Sequence, residues 1–331
     1  TGAMMRTVME RAGGFLLLIL PLALILILSM PVKQVARNYE RLDGSDRYFG
    51  YDFAHNILGT VQPNAIVIVQ GDNYWAVRGL QLIDGMRPDV TVLSQTLLNV
   101  DWYIEQIMRN EDLPLDLTDE EIAGLAPIPR QDSTVVTQVE GNPEIYELWE
   151  DIKSHVYISA GEVADHEAGV PVEYATLPDS FSIDVPPSTP DRPLLVGDQV
   201  IIRMIQENRW RRPIYFTIPP DWLRSYSRME GISWLLVPQD PAVINIDLLR
   251  ENLRENYSIR GYADVTPPIS VYTKGNGNNL QIAFYYLASG EAALGDSTAC
   301  RETARMLDEL LPPDLIEPQP AVREAIERLC Q

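Results

Sequence analysis

The sequence predicts a Rossmann-like α/β body of three layers on a mostly parallel sheet, with one N-terminal transmembrane helix and a C-terminal tetratricopeptide-like helical hairpin. Three observations carry this expectation. Ala12 to Val32 is an uncharged apolar run of 21 residues, spanning roughly 30 Å at about 1.5 Å per residue, the thickness of bilayer hydrocarbon. Between Ala65 and Met108, short β-branched runs alternate with helical periodicity, the pattern of a βαβα unit. From Asn245 onward the pattern is helical, with small residues where two helices would meet.

Residues 1–11 form a flank carrying Arg6 and Arg11, and 12–32 the span, whose Pro21 a membrane helix tolerates. No small-x-small cleavage site follows, so the run reads as an anchor rather than a removed leader. Arg6 and Arg11 lie on one side of it. Lys33, Arg37, Arg41 and Arg47 lie on the other, mixed with Glu40, Asp43 and Asp46, and this balance sets no orientation.

Residues 33–62 supply a charged connector and a first helix, Gly50 to Leu58, with Phe53, Ile57 and Leu58 at helical spacing. The α/β domain is expected over 63–244. Ala65 to Val69 reads as a strand buried on both faces, turning at Gly71-Asp72-Asn73. A helix through Trp75, Leu80, Leu82 and Ile83 closes at Gly85, a second strand covers Val90 to Leu93, and a helix follows from Trp102 to Met108 with Asp101 placed to cap it. Residues 112–193 are acidic and Pro-rich, an insertion with a helix at Glu144 to Lys153 and a strand at Val156 to Ser159. A helix at Val196 to Asn208 and strands at Pro213 to Ile218 and Ser233 to Val237 complete the sheet. In the helical region, 245–331, helices are expected at Asn245 to Asn256, Leu280 to Leu294, Ser297 to Leu311 and Ala321 to Cys330, the middle pair turning at Gly295-Asp296. Gly275-Asn276-Gly277 reads as a hairpin turn or loop.

The chain has 331 residues and a formal charge of -21, which repels phosphate backbones and argues against nucleic-acid binding. His55, His155 and His166 are scattered without ligand spacing, so no metal is expected, and no phosphate-binding glycine loop or nucleophile elbow implies a cofactor or covalent catalysis. Cys300 and Cys330 fit either a bridge across helices or two small buried side chains.

Asp72 and Asn73 fall beyond the carboxyl end of the first strand, where α/β sheets place ligands, and Asn99 and Asp101 follow the second. They suit either a polar pocket for a sugar or metal, or a turn brace and helix cap. Arg209, Trp210 and Arg211, with Trp222 and Tyr226, offer a candidate interaction face or, alternatively, surface ion pairs and core.

The run GDNYWAVRGLQLIDGMRPDVTVLSQTLLNVDWYIEQI, Gly71 to Ile107, resembles the hallmark of bacterial membrane proteins of the protein O-mannosyltransferase type, the DUF2723 or TMEM260-like proteins. Arg212-Pro213-Ile214-Tyr215-Phe216, Glu230-Gly231-Ile232 running to Pro238, and the hairpin through Gly295-Asp296 follow in the same order. Tyr74 replaces the hallmark's second aspartate, and Trp75-Ala76-Val77 stands where Thr-Phe-Pro is usual. The resemblance implies the extracytoplasmic C-terminal domain of a GT-C-like glycosyltransferase without the membrane part that carries catalytic carboxylates.

The expectation is therefore a single-pass, periplasm-facing, non-catalytic accessory subunit rather than an enzyme. Its helix would meet the lipid bilayer and integral membrane partners, and its acidic domain would dock an extramembrane subunit. The alternatives are the glycan- or acceptor-binding half of a GT-C-type glycosyltransferase system, and a free-standing sugar-modifying enzyme using Asp72.

Overall fold

The computed structural model describes residues 21–39, 43, 47–127, 135–140, 180–185, 194–208, 211–237, 244–262, 271–313 and 320–331. Two compact units divide the chain, 1–47 and 48–331. In the first, residues 21–39 are helical (α1). The single transmembrane helix expected over 12–32 is not supported, because no helix among the described residues is long and apolar enough to cross a membrane. Of the expected span only 21–32 fall among the described residues, and α1 continues past them through Lys33, Gln34, Arg37 and Asn38.

The second unit opens with α2, Phe49–Thr60, followed by β1, Ile66–Val69, α3, Asn73–Asp84, and β2, Thr91–Ser94. A 3-10 turn, Leu97–Asn99, leads into α4, Asp101–Asn110, and then α5, Asp119–Gly124. β1 is IVIV, every residue fully buried, as β-branched side chains on a strand covered on both faces should be. α3 stops at Gly85, whose φ of 65° supplies the left-handed C-cap that a side chain disfavours. α5 starts on a capping box between Thr118 and Glu121. β3, Val135–Glu140, and β4, Ser180–Val185, pair antiparallel as a separate sheet within the stretch read as an insertion. The helix expected at 144–153 and the strand at 156–159 lie outside the described residues.

α6, Val196–Asn208, precedes β5, Ile214–Phe216, β6, Ser227–Met229, and β7, Trp234–Leu236. The five-stranded sheet runs β2-β1-β5-β7-β6. β1 pairs in parallel with β2 (Ile66 to Thr91) and with β5 (Ile66 to Ile214), whereas β7 is antiparallel to both β5 and β6. The sheet is therefore mixed rather than mostly parallel, and the expected doubly covered Rossmann-like sheet is corrected accordingly. β6 runs in the same direction as β5 after the 3-10 segment Asp221–Tyr226, and the tight turn at 230–233 then reverses the chain, so β7 enters between them antiparallel to both.

α7, Ile246–Glu251, continues as a π-helical turn, Asn252–Asn256, and is followed by α8, Val271–Ala293, α9, Ser297–Leu310, and α10, Pro320–Leu329. α8 packs on both α9 and α10, and on α7 and α2 as well. The helical pair expected to turn at Gly295-Asp296 is present as α8 and α9, and it packs within a larger helical cluster. Helical residues greatly outnumber strand residues among those described. Fully buried Glu291 binds Arg250 at 2.9 Å, Arg254 at 3.0 Å and the Thr303 hydroxyl at 2.7 Å, joining α7, its π turn, α8 and α9 around one charge. Cys300 and Cys330 form a disulfide.

Two contacts hold α2 against distant chain. The Asn56 side chain donates to the Ser258 carbonyl at 2.8 Å and accepts from its N–H at 3.1 Å, and buried Asp52 accepts from Arg260 Nε at 3.1 Å. At the amino ends of the strands, Arg212 donates from Nε to the Asn64 carbonyl at 2.8 Å. It also donates from Nη2 to Thr91 Oγ1 at 2.8 Å and to the Ala65 carbonyl at 3.3 Å, and from Nη1 to the Asp112 carbonyl.

Candidate functional site

The register pairs Val69 with Ser94, so β1 and β2 end together and the residues beyond them share one edge of the sheet. α3 and α4 both begin at that edge. Asp72 holds the N-cap position of α3 without a side-chain cap bond, and its carboxylate is exposed. Asn73, the first helical residue, donates from Nδ2 to Asn276 Oδ1 at 2.8 Å. Asn276 is 3% exposed on α8, so the reading of Gly275-Asn276-Gly277 as a turn is corrected: a buried side-chain contact draws these residues into a helix.

Beyond β2, Asn99 accepts the Gly197 N–H at 2.9 Å and donates to the Thr96 carbonyl at 3.2 Å. A β-carbon on Gly197 would lie 2.9 Å from Asn99 Nδ2, so the absent side chain lets the start of α6 approach. Asp101 is the first residue of α4, with Val100 at the N-cap, and it is exposed. The four residues therefore lie on one edge as two pairs. Their amides are engaged in bracing, while the carboxylates of Asp72 and Asp101 make no hydrogen bond among the described residues.

Periodicity groups Trp75 with Leu80, Leu82 and Ile83 as one apolar helical pattern, and the structure corrects this: Leu80 is buried while Trp75, Leu82 and Ile83 are exposed. Trp75 lies in the first turn of α3 at 62% exposure, and Trp102 in the first turn of α4 at 55%. Trp75 meets Tyr74 edge-on at 4.9 Å between ring centroids, Tyr74 meets Tyr103 at 6.3 Å, and Tyr103 meets Trp102 at 5.9 Å. Tyr74 and Tyr103 are buried, and the Tyr103 hydroxyl accepts the Ser94 N–H at 2.9 Å. Burial raises the Tyr103 pKa well above that of an ordinary phenol, so the hydroxyl stays neutral. The signal in the sequence is a tryptophan in the first helical turn after an aspartate, three residues after Asp72 and one after Asp101. Thr217 completes the edge, its Oγ1 accepting the Gln70 N–H at 2.9 Å.

The other candidate face falls only partly among the described residues. Arg209 and Trp210 lie outside the described residues. Arg211 is exposed, while Trp222 and Tyr226 are buried, with Trp222 Nε1 donating to Asp198 at 3.2 Å. Among the described residues no group of three His, Cys, Asp or Glu side chains could hold a metal.

Residues 50–150 match the family model of TMEM260-associated domain 2. The protein O-mannosyl-transferase tmem260 of Dictyostelium discoideum is 33% identical over 86 residues, 26% of this chain and 10% of that relative. The protein O-mannosyl-transferase TMEM260 of Mus musculus is 32% identical over 78 residues, 23% of this chain and 11% of the relative. The chain thus aligns with about a tenth of the length of these curated relatives. Both are named as transferases, which overturns the expectation that the resemblance leads to a non-enzyme. No solved structure matches.

Proposed function

On the premise that residues 50–150 relate this chain to the TMEM260-type O-mannosyl-transferases, we propose that it serves a protein O-mannosyl transfer system by engaging the acceptor polypeptide or its glycan. One observation carries this reading. The matched segment contributes both candidate pairs, Asp72-Asn73 and Asn99-Asp101, to the edge at the carboxyl ends of the parallel strands, where Asp72 and Asp101 are exposed. Asp72 and Asp101 supply exposed acceptors for hydroxyl groups, and the bracing of Asn73 and Asn99 holds the loops that present them.

The Cys300–Cys330 bridge supports work in an oxidising, extracytoplasmic compartment. The formal charge of -21 disfavours anionic partners and suits a neutral or basic acceptor.

Transfer of mannose to an acceptor polypeptide by membranes from cells lacking and then re-expressing the chain tests the proposal. The expected outcome is loss of transfer without the chain, and a several-fold reduction when Asp72 and Asp101 are both changed to Ala. Transfer indifferent to the chain overturns it.

A further inference from the structure

We propose that Trp75 and Trp102 are the two ends of a carbohydrate platform that takes a neutral hexopyranose chain across the carboxyl edge of β1 and β2. This deepens the function proposed above and rests on it for the choice of mannose as the sugar.

Exposure sets the two indoles apart from their neighbours. Trp75 and Trp102 are 62% and 55% exposed, whereas the tyrosines that adjoin them, Tyr74 and Tyr103, are 8% and 2% exposed. Each indole meets its tyrosine edge-on, and the two tyrosines meet each other. Bonding of the Tyr103 hydroxyl to the backbone of Ser94 fixes the middle of this array to the end of β2. The indoles are thus held by a packed base while their outer faces stay wet. A rigid aromatic surface in water favours a ligand with one apolar face, and it loses little conformational entropy on binding.

The chemistry around the indoles selects the ligand. Asp72 lies three residues before Trp75, whose N–H donates to the Asp72 carbonyl at 3.1 Å, and Asp101 adjoins Trp102 in sequence. Both carboxylates are exposed and make no hydrogen bond among the described residues. They accept from hydroxyl groups and repel phosphates, acidic sugars and anionic lipid headgroups. The positive ends of α3 and α4, which otherwise attract anions, already carry these carboxylates. A pyranose has C–H groups for the indole face and hydroxyl groups for the carboxylates, so it matches both parts. Leu82 and Ile83, also exposed, lie at the far end of α3 and are not part of this edge.

The test follows the indole N–H resonances of the disulfide-intact chain during titration with α-linked mannotriose, mannose 6-phosphate, and vesicles of phosphatidylcholine with phosphatidylglycerol. Saturable shifts of the Trp75 and Trp102 signals with mannotriose are expected, with weaker binding of the phosphorylated sugar. Trp75→Ala or Trp102→Ala should weaken mannotriose binding about tenfold or more, and Trp75→Phe should restore part of it. Asp72→Asn with Asp101→Asn should reduce discrimination against mannose 6-phosphate.

The platform is overturned if mannotriose gives no saturable shift, if both alanine variants bind as the parent does, or if the indoles answer to vesicles or to protein concentration instead. Binding of mannotriose in a chain that mannosyl transfer does not require would sustain the platform and remove the functional reading. Transfer that depends on Asp72 and Asp101 without glycan binding would do the reverse.

Discussion

The Tyr257 hydroxyl occupies the space that a side chain on Gly231 would need: a β-carbon there would lie 1.9 Å from that oxygen. Gly231 also has φ of 148°, a conformation that side chains rarely adopt. The hydroxyl accepts the Ile232 N–H at 3.1 Å and lies 2.5 Å from the Thr60 hydroxyl, so the β6–β7 turn, α2 and the π-helical turn meet at one oxygen.

Gly231→Ala should therefore lower stability by about 1–3 kcal/mol through overpacking and backbone strain. Urea unfolding of parent and variant checks this. Equal midpoints would show that the turn yields without cost.

Asp89 should contribute to acid sensitivity. The side chain of Arg87 hydrogen-bonds its carboxylate and, with the Asn64 N–H, outweighs partial burial to hold the pKa at about 2, below the ordinary 3.8. A folded-state pKa below the unfolded value means the contribution is present above pH 3.8 and disappears as pH falls toward about 2. Asp89→Asn should flatten the stability profile in that window. A carboxyl titration of Asp89 by NMR with a midpoint at the ordinary value would contradict the assignment.

Reduction of Cys300–Cys330, which are 30 residues apart in sequence, should cost about 2–4 kcal/mol through the freed unfolded chain. Thermal unfolding with and without reductant reads this, and Cys300→Ser with Cys330→Ser should match the reduced parent. A protein equally stable in both states would place the strength of the helical cluster in packing and the Glu291 network alone.

Arg212 should matter more than its place in an exposed-looking basic run suggests. Burial lowers its pKa from the usual guanidinium value, and its donors reach carbonyls next to β1 and after α4 and a hydroxyl on β2. Arg212→Ala should cost about 2–4 kcal/mol by leaving these acceptors without their charged donor, and Arg212→Lys should recover only part because an ammonium lacks the planar fork. Denaturant midpoints for the three proteins provide the measurement. Full recovery by Lys would show that charge alone suffices.

Local elements were legible where a few neighbouring residues decide the outcome. The IVIV run of β1, the Gly85 stop of α3 and most helix positions follow from β-branching, left-handed capping and periodicity, all short-range properties. The edge carrying Asp72, Asn73, Asn99 and Asp101 was legible too, since two adjacent βα units imply parallel strands that end together. Tertiary structure decided the rest. Antiparallel β7 depends on the tight turn from β6 and its insertion beside β5, and Asn276 is drawn into α8 while it bonds to Asn73, 203 residues away in sequence. Whether Cys300 and Cys330 meet depends on how α9 and α10 pack, and whether Trp75 and Trp102 stay wet depends on which neighbours bury Tyr74 and Tyr103. Periodicity records which side of an element is apolar; contacts between groups far apart in the chain exist only after those sides have been buried against one another.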